Sequence, residues 1–215
     1  MKHWLIIGLV FLGACGRGVP ENARIVVAGD SVMAWNRNDS GSVADRLESR
    51  LGEPVGDVSL SLARVTGGRG ALHIPTQLKP VSAEWVVLNG GANDLRSRDC
   101  GCKVCDVELD RLISASGTQG AIPELVSDLR RRGSRIIWLD YYTSPRYAGT
   151  VCVAPYQILE ERLARMAAAD AGVTLLDMDA VFRPDDLSLF APDRIHPSLR
   201  GSDLIAGQVA PLLRR

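Results

Sequence analysis

RIVVAGDSVMAW, residues 24–35, starts as an apolar run without polar alternation and breaks at Gly29-Asp30-Ser31. A run of that kind, rich in β-branched residues, predicts a strand covered on both faces, as in a parallel sheet. The serine sits where such a strand reaches the sheet edge. Downstream, VGDVSLSL (55–62), EWVVLNGG (84–91), SRIIWLDYY (134–142) and VTLLDM (173–178) supply four more strand candidates.

Amphipathic segments fall between these runs. SVADRLESRLG places Val43, Leu47 and Leu51 at helical spacing before a Gly stop. GAIPELVSDLRRRG carries Pro near its start and Arg and Gly at its end, and PYQILEERLARMAAADAG sets Ile158, Leu159, Leu163 and Met166 on one face. PSLRGSDLIAGQVAPLLRR reads as a closing helix whose extent Gly201, Gly207 and Pro211 leave open. Strands alternating with helices at this spacing predict parallel βαβ units and a three-layer α/β sandwich. The stretches 93–118 and 179–198 are expected to be irregular, functional loops.

At 215 residues, 46% hydrophobic, the chain suits one buried domain. Lys+Arg and Asp+Glu each number 25, so no basic field points to nucleic acid. MKHWLIIGLVFLGAC reads as an export leader, its apolar part about half the ~20 residues of a membrane span. LGAC at 12–15 resembles a bacterial lipobox, which implies cleavage before Cys15 and a lipid on its sulfur. The expected organisation is a leader at 1–14, a lipidated tether at 15–23 and a folded domain at 24–215, anchored in the bacterial envelope and facing the periplasm.

Setting Cys15 aside leaves Cys100, Cys102, Cys105 and Cys152, an even number in an exported chain, which predicts two disulfides rather than zinc. Pairing Cys105 with Cys152 leaves Cys100 and Cys102 to close a strained ring. The other two pairings stay open, and each ties this loop to Cys152. The same loop carries Arg96 and Arg98, which could favour an anionic substrate, although exposed arginines in a polar loop are more often only solvated.

Ligands of open parallel sheets bind beyond the carboxyl ends of the strands. Three polar motifs fall there: Gly29-Asp30-Ser31, GAND with Asn93 and Asp94, and DRIH with Asp193 and His196. A serine hydroxyl needs a base. Outside the leader only His73 and His196 are available, and His196 has a carboxylate three residues earlier to fix its tautomer. Asn93 and the Ser31 backbone N–H are candidate oxyanion donors.

GDSVM, GAND and DRIH, in that order over residues 24–213, resemble the SGNH hydrolases, the GDSL-type esterases and lipases. The resemblance implies a flavodoxin-like sheet of five parallel strands in the order 2-1-3-4-5. It also implies Ser31 as nucleophile, His196 as base, Asp193 as its orienting acid and Asn93 as oxyanion donor, with no metal or cofactor. The family's second block carries a glycine whose N–H completes the oxyanion hole; here Leu62 aligns with it, or Arg64 in a shifted register. A leucine can donate the same N–H but is expected to avoid positive φ. The expected activity is hydrolysis of a small-molecule, lipid or acylated-glycan ester. The alternatives are acyl transfer to a glycan by the same acyl-enzyme, and non-catalytic lipid or glycan binding.

Overall fold

The computed structural model describes residues 18–96, 100–101 and 103–213. The leader, Cys15, Arg98 and Cys102 lie outside the described residues. Five strands form one parallel sheet: β1 (Ile25–Ala28), β2 (Val55–Asp57), β3 (Trp85–Leu88), β4 (Arg135–Leu139) and β5 (Val173–Leu176). Their spatial order is 2-1-3-4-5, as the resemblance implies.

Both faces of the central strands are covered, which explains the missing polar alternation. Along β1, Val26 and Ala28 enter one core, whereas Ile25 and Val27 enter the other. Strand β3 divides in the same way, Val86 and Leu88 against Trp85 and Val87. The first core is closed by α3 (Ile74–Leu78), α5 (Asp106–Leu112), α6 (Ala121–Arg131) and α7 (Ala154–Ala169). The second is closed by α2 (Val43–Leu51) and α8 (Leu199–Leu213). The layers are therefore helix, sheet and helix, each buried aliphatic side chain contributing about 1.5–3 kcal/mol.

Local chemistry sets the ends of α2. Ser42 caps the Asp45 N–H at 3.3 Å while the Asp45 carboxylate accepts from Ser42 N at 2.9 Å, and Gly52 at φ 69° terminates the helix. The closing helix α8, whose extent the sequence leaves open, runs unbroken to Leu213 with Pro211 inside it, because its buried face through Ile205, Val209 and Leu213 outweighs one lost hydrogen bond near the end. One expectation needs correction. The 93–118 stretch holds the end of α4 (Ala92–Leu95) and all of α5, whose Leu109 and Leu112 are fully buried.

Candidate active site

The C-terminal ends of β1 and β3 carry the first part of the site. Ser31 is the first residue of the short helix α1 (Ser31–Ala34), and Asp30 caps it by accepting from Val32 N at 3.0 Å. Gly29 makes the break possible: its φ is 123°, and a Cβ there would stand 2.1 Å from Asn89 Oδ1. That oxygen accepts from Asp30 N at 3.0 Å, and Asn89 Nδ2 donates to Asp30 Oδ1 at 2.9 Å. The Tyr141 hydroxyl, from beyond β4, donates to Asp30 Oδ2 at 2.6 Å and accepts from Ala92 N at 3.2 Å.

Asp30 is 1% exposed, and burial raises its pKa against the opposing hydrogen bonds from Tyr141, Val32 and Asn89. The Tyr141 phenol is also held well above its ordinary value, by burial and then by the Asp30 charge, so it stays a donor. Asn89 and Tyr141 are both absent from the sequence reading. They sit in LNGG and DYY as ordinary strand ends, and only the pairing of β1 with β3, and of β3 with β4, brings them together.

The last loop supplies the remainder. His196 Nε2 lies 2.9 Å from Ser31 Oγ, and His196 Nδ1 lies 2.5 Å from Asp193 Oδ2. The other Asp193 oxygen accepts from the Ile195 and His196 N–H groups, both at 3.0 Å. Burial raises the Asp193 pKa, but the His196 ring and these two N–H groups outweigh it and hold the carboxyl below its usual range. The loop is pinned to the fold by Tyr142, whose hydroxyl donates to Ile195 O at 2.9 Å, and by Asn36, which donates to Pro197 O at 3.0 Å. Trp35 stacks on the His196 ring at 3.7 Å between centroids and 7° between planes. It closes the opening segment, yet no pattern in the sequence marks it as a partner of His196. His73, by contrast, pairs its Nδ1 with Thr76 Oγ1 at 2.8 Å.

Asn93 lines the cleft with Ser31 and His196. Its Nδ2 donates to Ala63 O at 2.9 Å, which orients the amide and leaves one N–H of that group. Buried Asp94 ties the second block to the third by accepting from Val65 N at 3.0 Å and Thr66 N at 2.9 Å. Arg64 is not an available donor, because its N–H is taken by Leu72 O at 2.9 Å. Leu62 does have positive φ, 68°, contrary to expectation. The Leu60–Ala63 turn, closed by Ala63 N to Leu60 O at 3.1 Å, requires it. The side chain escapes conflict by pointing outward, 69% exposed, and Leu62 is not among the residues lining the cleft.

The cleft has an empty volume of about 660 Å³, its solvent mouth included. Its far wall is aromatic and polar, with Tyr147, Tyr156, Gln157 and Glu160, and the Arg96 guanidinium lies 5.4 Å from the Tyr147 ring centroid. At the ends of β4 and β5 carboxylates gather. Burial pushes Asp140 up to about 8, with Glu160, Asp177 and Asp179 adding to the shift, and burial also raises Glu160. Cys100 is bonded to Cys105 with Cα atoms 5.4 Å apart, and Cys152 is disulfide-bonded as well. The predicted pairing that involves Cys102 lies outside the described residues.

Residues 27–204 match the profile of the GDSL-like Lipase/Acylhydrolase family. Among curated proteins none matches significantly. Of the solved structures, TesA superposes with a TM-score of 0.62 at 21% identity, over 88% of this chain and 97% of that one. The lipase Lip_vut3 from a goat rumen metagenome gives 0.60 at 15% identity, over 87% and 95%. A family two carbohydrate esterase from Clostridium thermocellum, solved in complex with cellohexaose, gives 0.61 at 18% identity, over 91% of this chain and 64% of that one. At these identities the structural likeness speaks to the fold.

Proposed function

We propose a serine acyl-enzyme mechanism for this chain, which belongs to the GDSL-like lipase/acylhydrolase family and is a carboxylic ester hydrolase. The observation that carries the mechanism is the continuous relay from Ser31 Oγ through the His196 ring to Asp193, with links of 2.9 and 2.5 Å. With Nδ1–H donating to Asp193, Nε2 holds a lone pair towards the serine. As Oγ attacks the ester carbon, Nε2 takes the hydroxyl proton and the carbonyl electron pair moves onto oxygen.

The oxyanion is met by the Ser31 N–H, which has no intrahelical acceptor, and by the Asn93 amide. Collapse breaks the bond to the alcohol, which leaves with the proton from Nε2. Water then attacks the acyl-serine while His196 takes its proton, and the second collapse breaks the acyl–Oγ bond as Nε2 returns that proton to Ser31 Oγ and the acid is released. Trp35, face to face with His196, supports the imidazolium that forms twice in this cycle. For substrate class we favour an ester whose non-reacting part is polar, such as an acylated glycan. Tyr147, Tyr156 and Gln157 offer ring faces and hydrogen-bonding groups rather than a long apolar channel.

The mechanism is tested with a fluorophosphonate probe, which labels an activated serine. Wild-type protein is expected to be labelled and Ser31→Ala to be unlabelled, with ester hydrolysis lost by about 10³-fold or more. Equal labelling of both, or of neither, would sink the assignment.

A further inference from the structure

Beyond the catalytic groups, β4 and β5 end side by side in acid. Their register pairs Leu139 with Leu176, so Asp140 and Asp177 are the next pair along. Glu160 reaches the same place from α7, and one carboxylate oxygen from each of the three lies within 4.8 Å of the others. Acid clusters are common without any ligand, but two further facts distinguish this one. Asp140 is 3% exposed; its Oδ1 accepts from Met178 N at 2.7 Å, while its buried Oδ2 has no partner among the described residues. With Oδ1 turned to Met178, Oδ2 is the oxygen left for the cluster.

Secondly, among the described residues no Lys or Arg forms an ion pair with Asp140, Glu160 or Asp177. Elsewhere buried Asp57 is met by Arg37 at 2.8 Å, and buried Asp30 and Asp94 have hydrogen-bond donors on both carboxylate oxygens. Arg96, a cation of the same cleft, lies over Tyr147 instead. An orphan buried oxygen among unpaired carboxylates calls for a cation.

We propose that Asp140, Glu160 and Asp177 form a Ca²⁺ site. Three carboxylate oxygens are hard donors, which favour Ca²⁺ or Mg²⁺ over zinc or copper. Ca²⁺ accepts irregular oxygen shells, whereas Mg²⁺ demands near-ideal octahedral geometry, so a cluster assembled from two strand ends and a helix suits the larger ion. Water completes the shell, because Glu160 and Asp177 keep some exposure. The ion would tie α7 to the ends of two strands. Since α7 also carries Tyr156 and Gln157, it would fix one wall of the cleft. This site does not depend on the role given to Ser31.

The test is calorimetric titration of chelator-stripped whole protein with CaCl₂, with melting curves in parallel. We expect one saturable site and a melting temperature several degrees higher at roughly 10 mM Ca²⁺. Mg²⁺ is expected to do less, and NaCl at matched ionic strength nothing. Asp140→Asn should abolish the response, and Glu160→Gln, at a half-buried helical position, should weaken it at least tenfold while the fold is kept. No saturable heat, an equal shift from NaCl, or an undiminished response in both variants would overturn the site.

Discussion

The two halves of the sheet edge handle buried charge in opposite ways. Where β1 and β3 end, both Asp30 oxygens accept hydrogen bonds, and the Tyr141 hydroxyl and Asn89 amide that serve them have further partners. Where β4 and β5 end, Asp140 is buried as deeply, yet one of its oxygens is orphaned and its neighbours are acids. A closed network fixes geometry; an open one is electrostatically unfinished and responds to pH and ions. Ser31 stands on the closed half.

The comparison can be broken hardest at the relay attached to that half. Asp193→Asn keeps the size of the side chain but removes the charge that fixes the His196 tautomer, and kcat is expected to fall by about 10³- to 10⁴-fold with the fold retained. Steady-state kinetics with circular dichroism on one preparation checks this, and a loss under tenfold would mean the His196–Asp193 contact is only structural.

A smaller effect is expected at the network beneath. Tyr141→Phe strips Asp30 Oδ2 of its donor and Ala92 N of its acceptor, which should cost about 1–3 kcal/mol in urea unfolding. An unchanged midpoint would show the network to be no more closed than its counterpart.

The remaining effect, and the one of opposite direction, belongs to Asp140. Its folded pKa of about 8 lies above the unfolded value of about 4. Between these the native state holds a proton that the unfolded chain has lost, so stability falls as pH rises through the window and levels off above it. Glu160, Asp177 and Asp179 face the same group and steepen the trend. With chelator present, Asp140→Asn is expected to flatten that slope and to be stabilising at pH 8, since Asn keeps the Met178 bond and carries no charge. Urea midpoints at three pH values decide it; parallel slopes for both proteins would count against the contrast.

Much of this was legible in the residue pattern. Apolar runs without alternation announced a doubly covered sheet, and GDS and GAND stood at its edge because strand ends are read directly from where such runs stop, while DRIH was marked by the one histidine with a carboxylate three residues before it. Asn89 and Tyr141 were hidden for a physical reason: their work is done across strands, and sequence spacing carries no information on which ends become neighbours. Asp140 and Asp177 were hidden likewise, each looking like a plain strand terminus until register paired them. Leu62 shows another limit. The rule that leucine avoids positive φ is sound locally, but the turn that returns the chain from Leu60 to Ala63 overrides it.

The indole resting on His196 has a consequence for observing the enzyme at work. Trp85 and Trp138 are buried, at 2% and 0% exposure, whereas Trp35 is half-buried and in face contact with the ring that, in the proposed mechanism, gains and loses a proton. A protonated imidazole quenches indole emission by contact. The molecule therefore carries its own optical reporter, whose brightness follows the ionisation of the base without any added dye.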